Sequence, residues 1–404
     1  MMAWLEPKPV QTERQARWNS RWTYCRGRMQ SQPQSHLARW PASLSRRLAL
    51  GHLAHVGSHF FKALFGTWRS TATTLVLALL IASASFKLTD WAILSAVWVT
   101  PPDDASACRA ARGQGACWAL LAEKARFILF ATYPYDQQWR PATVCVSLIA
   151  LIALTAVQAL WGRRLIFIWV VGLVGIGILM WGGVLGLSFV RQELWGGLPI
   201  TLVLATFGIA FALPIGVLLA LGRQASTLPI IKALCIGYIE AIRAVPLVSL
   251  LFMTSFVLPI FLPMGLTIDK VLRAQFALVL FSAAYLAEAV RGGLQSIPRG
   301  QHEAASALGL GYWTTQFQII LPQAVRASIP ALVNTSISLF KSTSLVLVVG
   351  IYDLLAAGKA SIVDPQWQGF ALEMFIAISL IYFAMFFPMS RYSRHLERKL
   401  DARR

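Results

Sequence analysis

Long runs of sequence without a single charged residue are the strongest constraint on what this chain can form. Six such runs contain 17 to 29 residues, and the longest lies between Glu193 and Arg223. A helix needs about 20 mostly apolar residues to cross the roughly 30 Å hydrocarbon core of a membrane. Only 13% of the residues are charged and 57% are hydrophobic, whereas about 25% are charged in soluble domains. The sequence therefore predicts an all-α polytopic membrane protein.

Two further runs are interrupted or short. The run between Arg273 and Glu288 contains 14 residues, and the run between Arg326 and Asp353 contains Lys341. Counting both gives about eight predicted spans, near residues 70–88, 142–161, 165–189, 199–221, 245–262, 272–290, 327–350 and 371–389.

The basic residues predict the orientation of these spans. If the N-terminus is cytoplasmic, 25 of the 36 Lys and Arg residues lie inside and 10 outside, with Lys341 within a span. Such an excess is typical of cytoplasmic segments, so we expect a membrane protein with both termini in the cytoplasm. The net charge of +19 is assigned to these segments, and no nucleic-acid partner is expected. The lipid membrane is the expected partner.

The spans divide the chain into four predicted parts. These are a basic cytoplasmic tail at 1–69, three helices within 70–195 with a large outer loop at 87–141, a core at 196–390, and a basic tail at 391–404. An interfacial amphipathic helix is predicted over 44–66. His52, His55 and His59 have helical spacing there, but no fourth donor is evident, and no metal site is expected.

Two cysteines fall in the predicted outer loop. Cys108 and Cys117 are nine positions apart and flank a flexible Gly-Gln-Gly segment. Disulfides persist outside the cytoplasm, so pairing of the two is one hypothesis and two free thiols are the alternative.

The segment 291–326 contains the pattern E-A-A-x3-G-x9-I-x-L-P. Pro298 and Gly300 are expected to break the preceding helix, and a short helix should start near His302. Glu303 then lies near its positive N-terminal end, the alanines leave one side without bulk for a partner, and Gly309 ends the helix. The pattern consists of Glu303, Ala304, Ala305, Gly309, Ile319, Leu321 and Pro322.

This pattern resembles the EAA loop of ABC importer permeases. In that family the loop docks on the ATP-hydrolysing subunit, which implies coupling roles for Glu303, Ala304, Ala305 and Gly309. The resemblance to the polar amino-acid group extends over about 196–390, and it is carried by YIEAIRAVPLVSLLF, AYLAEAVRGGLQSIPRGQ and LFKSTSLVLVVGIYDLL. The larger permease subunit of general L-amino-acid transporters, with three extra N-terminal helices, is the nearest match in type.

The resemblance implies a type I importer core of five helices with alternating access. It also implies the partners: an ATP-binding subunit dimer, a second permease subunit and a periplasmic amino-acid binding protein. No cofactor is expected. The chain has no G-x4-G-K-[ST] phosphate loop, so the nucleotide is expected on another chain.

Other classes of protein fit the sequence less well. An ion-driven secondary transporter would need acidic residues deep in several spans, whereas the acidic residues here lie at ends and in loops. A membrane enzyme lacks visible catalytic residues, so none is expected, and a scaffold leaves the seven-residue pattern unexplained.

Charged residues near the spans have two interpretations. Lys341 is a candidate for the translocation path; the alternatives are an internal ion pair or a lysine that reaches the inner surface. Glu288 with Arg291, and Glu240 with Arg243, are three residues apart, and each pair is predicted to support structure.

Overall fold

The computed structural model describes residues 64–102, 104–225 and 228–401. The tail at 1–63, with its histidines and most of the predicted interfacial helix, therefore lies outside the described residues. Within the described ranges the chain is helical, and its extended pairing is limited to two isolated bridges. The helices are α1 Trp68–Thr89, α2 Ser106–Ala110, α3 Ala119–Phe130, α4 Trp139–Thr155, α5 Arg163–Trp181, α6 Gly197–Gln224, α7 Pro229–Ala244, α8 Leu247–Phe252, α9 Lys270–Gln295, α10 Arg299–Ala307, α11 Tyr312–Thr314, α12 Leu321–Ser342, α13 Leu354–Ser361 and α14 Ala371–Asp401.

Shorter helical turns connect or extend these helices. The wide, π-type turns are Asp90–Leu94, Met253–Val257 and Thr315–Ile320. The tight, 3-10 turns are Tyr135–Gln137, Gln158–Leu160, Gln192–Leu194, Leu258–Phe261 and Thr343–Val349. The described residues divide into two compact units between Phe86 and Lys87. Helix α1, which contains this boundary, has no buried residue, which suits a helix whose apolar surface is covered by lipid.

Seven helical stretches in the described residues are long and apolar enough to cross a membrane. They are Trp68–Leu94, Tyr135–Thr155, Arg163–Trp181, Gly197–Gln224, Lys270–Gln295, Tyr312–Val349 and Ala371–Arg398. The predicted polytopic helical fold is thereby confirmed. Some helix ends differ from the predicted ends of the spans. Helix α5 stops at Trp181 because Gly182 and Gly183 both adopt positive φ.

The predicted span at 245–262 does not stand as a separate, single helix. Instead, Pro229–Ala244 and Leu247–Phe261 form a pair of helices bent by 102°. Val245 is extended, with φ −91° and ψ 130°. The reason is Pro246, since proline disfavours a helical conformation in the residue before it and removes a backbone donor.

Small residues allow the central helices to approach each other closely. Gly216 of α6 lies against α9, where a Cβ would come within 3.1 Å of Ala283 O and of Ala287 N. Gly293 of α9 lies in the same way against the backbone of Ala324 in α12. Lipid offers no hydrophobic driving force between helices, so close packing of this kind holds them together.

The predicted outer loop is an ordered cap. Cys108 and Cys117 form a disulfide with a Cα–Cα distance of 5.4 Å, and both are fully buried beside Trp367 and Phe370. Lys124 of α3 donates to the Asp364 carboxylate at 2.9 Å. The loop therefore packs on the chain that connects α13 with α14.

Arg140 is buried, although the sequence predicts it at the boundary of a span. It is 1% exposed, and it donates to Leu179 O at 2.7 Å and to Ser188 O at 3.0 Å. The carbonyls at a helix C-terminus carry partial negative charge, so the end of α5 compensates the guanidinium.

The core helices have two distinct ends. At one end, Gly197 N donates to Tyr352 O at 2.7 Å and the disulfide cap packs on α13; we call this the disulfide end. At the other end, the last turn of α6 meets α7 and α9, and α10 follows directly after α9; we call this the Glu303 end.

Candidate functional site

The helix that carries the E-A-A pattern starts earlier than the sequence predicts. Helix α10 begins at Arg299, directly after Pro298 in extended conformation with φ −60° and ψ 140°. Gly300 therefore lies inside the helix and does not interrupt it. Glu303 is exposed in the second turn and is not at the positive N-terminal end, which corrects the expected dipole contact.

Gly309 closes this helix through a Schellman motif. Its φ is +69°, its N–H donates to Ser306 O at 3.0 Å, and Leu310 N–H donates to Ala305 O at 3.1 Å. A Cβ at Gly309 would meet no atom within 4 Å. The requirement for glycine therefore comes from the backbone conformation, because L-residues adopt left-handed φ at a cost of about 1–2 kcal/mol.

The alanines of the pattern divide between two faces. Ala305 is 1% exposed, whereas Ala304 and Ala307 are exposed. The expectation that all three share one accessible side is therefore wrong for Ala305. This face of α10 is buried against the protein's own chain, and α10 contacts the turn Thr315–Ile320.

The end of the pattern connects this turn to the transmembrane helices. Ile320 and Ala324 belong to a buried cluster with residues of α6, α7 and α9. Ile319 and Leu321 pack against that cluster, and Pro322 lies in the first turn of α12. A displacement of α10 would thus be transmitted through close-packed side chains to several helices.

Large apolar side chains surround α10 on the exposed side. Leu308 is 76% exposed and Trp313 is 61% exposed. Trp313 stacks on Phe317 at a centroid distance of 5.7 Å, and Tyr312 meets Trp313 edge-on at 5.2 Å. Exposed apolar surface of this kind marks a contact with another protein or with the membrane, and Tyr312 is the first residue of a candidate span. The sequence interpretation missed these aromatics, although they follow directly after Gly311.

A network of charges joins three helices at the Glu303 end. Glu288 accepts from Arg291 at 2.7 Å and from Arg223 at 2.8 Å, and Arg243 lies at 3.8 Å. The predicted pairing of Glu288 with Arg291 is present. The predicted pairing of Glu240 with Arg243 is not, because Glu240 meets Arg223 at 3.2 Å. The contribution of Arg223 is invisible in local spacing, since it comes from another helix.

Lys341 is placed on the exposed side of α12. Its Nζ lies 5.6 Å from the ring centroid of Phe386, and it forms no ion pair with any residue that the structure describes. The internal ion pair that was one alternative is therefore not formed within these parts of the chain.

Comparison with known proteins identifies the family. A family described as "Binding-protein-dependent transport system inner membrane component" matches residues 212–402. The inner membrane amino-acid ABC transporter permease protein YhdY of Escherichia coli K12 is 42% identical over 352 residues, covering 85% of this chain and 92% of YhdY. This chain belongs to the family of binding-protein-dependent transport system inner membrane components. The resemblance inferred from the E-A-A pattern is thereby confirmed.

The chain is also similar to a second permease and to a solved structure. The glutamate/glutamine/aspartate/asparagine transport system permease protein BztC of Rhodobacter capsulatus is 38% identical over 346 residues, with 71% of this chain and 79% of BztC covered. A solved structure described as an amino acid ABC transporter with histidines is 32% identical, covers 50% of this chain and 92% of its own, and gives a TM-score of 0.45.

Family membership and the spans together define the class of protein. The chain is a permease subunit of an ABC transporter and a multi-pass inner-membrane protein. The ion-driven alternative receives no support from the relatives. The relatives are transporter permease subunits, which are not themselves enzymes.

Proposed function

We propose that this permease is the membrane-spanning subunit of an ATP-driven importer for L-amino acids. The substrate class is supported by the names of YhdY and BztC, which are both permeases for amino acids. The observation that carries the proposal is the exposed helix α10, closed at Gly309 and backed by the buried Ala305.

The coupling step follows from how α10 is attached. An ATP-binding subunit docks on the exposed side of α10 and on the aromatics around Trp313. When ATP binding closes the two ATP-binding subunits, α10 moves with them. The turn Thr315–Ile320, which α10 contacts, passes this motion through Ile319 and Ile320 to the buried cluster of α6, α9 and α12. Driving a two-state equilibrium almost completely from one side to the other needs about 5.5 kcal/mol of differential binding.

The proposed assembly contains a dimer of ATP-binding subunits, a second permease subunit and a periplasmic amino-acid binding protein. Both termini are cytoplasmic, so the Glu303 end faces the cytoplasm and the disulfide end faces the periplasm. The excess of basic residues on the Glu303 side supports this orientation, and a disulfide is stable on the periplasmic side. We propose the same four parts for the chain. They are a cytoplasmic tail at 1–69, three extra helices with a periplasmic loop at 70–195, the transmembrane core at 196–390 and a second cytoplasmic tail at 391–404.

Lys341 lies on the translocation path in this proposal. An exposed ammonium within a membrane helix is costly in lipid, so it requires either a watery path or a neighbouring subunit. A carboxylate of the substrate, or one of a gate, is its proposed contact.

The decisive experiment is reconstitution of the permease with the subunits that co-purify with it. We expect an ATPase, a second permease and uptake of L-amino acids into liposomes that requires ATP and the binding protein. Uptake that persists without ATP and collapses with an ion gradient would contradict the proposal, as would copurification without any ATPase.

A further inference from the structure

A cavity of about 310 Å³ lies at the disulfide end, far from α10. Three segments line it: the turn before α6, the first turns of α9, and the chain from Gly350 to Tyr352. We call it the Gln192 cavity. Its polar and aromatic lining residues include Gln192, Glu193, Trp195, Asp269, Lys270 and Arg273.

Shielded polar atoms without partners are concentrated around this cavity. Gln192 is 4% exposed and Trp195 is 3% exposed. Both amide atoms of Gln192, Nε1 of Trp195 and Nε of Arg273 lack a hydrogen bond. These are four of the eight such side-chain atoms in the described residues. An unmade hydrogen bond of a buried group costs about 1–3 kcal/mol, so the site is better satisfied with an occupant than without one.

The charges at the cavity are balanced. Lys270 and Arg273 supply two cations at the N-terminal end of α9, where the helix dipole also favours an anion. Among the described residues, Lys270 Nζ donates only to Gly350 O, at 3.5 Å, and Arg273 uses its Nη1 for Ser255 O at 2.6 Å. Glu193 and Asp269 supply two carboxylates. Such a set matches a ligand that carries one charge of each sign.

We propose that the Gln192 cavity binds the ammonium and carboxylate groups of a free α-amino acid, as a station between the binding protein and the membrane path. This rests on the proposed function for the substrate class. The carboxylate meets Lys270 and Nε of Arg273, and the ammonium meets Glu193 and Oε1 of Gln192. Because the amide of Gln192 and Nε of Arg273 are shielded from the cavity, both side chains rotate toward the ligand when it binds.

The size of the cavity suits this ligand. Pockets for small molecules measure about 300–1,000 Å³, and the Gln192 cavity is at the lower end of that range. Ordered water is the competing occupant, because water also satisfies buried polar groups. The two occupants can be distinguished by experiment. Only a bound amino acid would shield the cavity wall from a reagent when amino acids are added.

The test is chemical protection of a cysteine placed in the cavity wall. Thr267 lines the cavity and the neighbouring Leu266 does not, so Thr267→Cys and Leu266→Cys form a matched pair. Both are made in the complete transporter without its binding protein. A maleimide then labels them with and without a mixture of the common L-amino acids, and the labelled peptides are quantified by mass spectrometry.

We expect the amino acids to slow labelling of Thr267→Cys by at least about threefold, a change worth well under 1.4 kcal/mol, and to leave Leu266→Cys unchanged. Acetate and methylamine, which each carry one of the two charges, should not protect. Adding Gln192→Leu should cancel protection, whereas Gln366→Leu, which is exposed at the same end, should not. Because Gln192→Leu removes an unpaired buried amide, the variant should fold, and its melting temperature checks this.

Absence of protection, equal protection by acetate or methylamine, or protection that survives Gln192→Leu would each overturn the proposal and leave water as the occupant. ATP-driven uptake is measured on the same preparation with the binding protein added. Uptake without protection refutes the cavity site alone, whereas absence of ATP-driven uptake refutes the proposed function.

Discussion

Arg223 and Glu288 lie 65 positions apart in the sequence, yet Nη1 of Arg223 is 2.8 Å from Oε1 of Glu288. The contact joins the end of α6 to α9, and Arg243 brings α7 to the same carboxylate at 3.8 Å. One acidic residue thus holds together three helices next to the segment that leads into α10. The network therefore lies among the helices that α10 is proposed to move.

Replacing Glu288 by Gln should destabilise the permease, because three guanidinium groups would remain around a neutral amide. The groups are partly exposed, with Glu288 at 17%, so we expect a loss of about 1–2 kcal/mol, below the value for fully buried pairs. The melting temperature of the complex in detergent measures this. Arg191→Gln, which breaks an exposed 3.7 Å pair, is the control and should change nothing. Equal melting temperatures for Glu288→Gln and the unmodified protein would exclude the structural role.

Gly309→Ala should weaken coupling, whereas Gly311→Ala should not. Gly309 has φ +69° and Gly311 has φ −66°, and a Cβ added at either position would meet no atom within 4 Å. The two substitutions therefore differ only in backbone strain, which is about 1–2 kcal/mol at Gly309. ATP-driven uptake and binding of the ATPase subunit are the measurements. If both variants behave alike, the Schellman closure is not needed for coupling.

Cys108 and Cys117 should resist alkylation until a reductant is added. Closing a loop of this length is expected to stabilise the cap by about 2–3 kcal/mol, so the double Ser variant should also unfold at lower temperature. Mass spectrometry of the protein after alkylation, with and without reductant, measures the pairing. Full labelling without reductant would show two free thiols.

Asp353 should make stability depend on pH. It is fully buried, accepts from Ala356 N at 2.8 Å and lies between the last two candidate spans, outside both. Burial raises the pKa of Asp353 from 3.8 to about 6, so the folded state holds its proton over a window where the unfolded state has lost it. Stability from this group is therefore greatest below pH about 4, falls as the pH rises to about 6, and is constant above.

Asp353→Asn keeps an acceptor for Ala356 N and should remove this dependence. The difference in melting temperature between the two proteins should grow in favour of Asn as the pH rises from about 4 to about 6. A difference that does not change with pH would show that Asp353 does not titrate in this window.

Lys341→Gln should reduce uptake by about tenfold, which corresponds to the loss of one charge-assisted contact worth about 1.4 kcal/mol. Assembly with the partner subunits should be unchanged, since in this proposal Lys341 faces the translocation path and not a neighbouring subunit. Lys341→Arg keeps the charge and serves as the control. Normal uptake by Lys341→Gln would exclude an essential role on the path.

Local chemistry made part of this protein predictable from its sequence. Charge-free runs such as Glu193 to Arg223 predicted the spans because a membrane demands long apolar helices. Gly309 predicted the end of α10 because a helix C-terminus commonly needs a residue with positive φ. The predicted start of α10 is three residues late, since Pro298 serves as its N-terminal boundary and not as a break before a further turn.

The tertiary structure alone decided how distant segments meet. The burial of Ala305, the enclosure of Arg140 by the end of α5, and the pairing of Arg223 with Glu288 all depend on neighbours supplied by other helices. A residue's spacing along the chain determines which helix face it occupies. Which helix covers that face depends on how all the helices pack together. The packing partner therefore cannot be predicted from any single segment of the sequence.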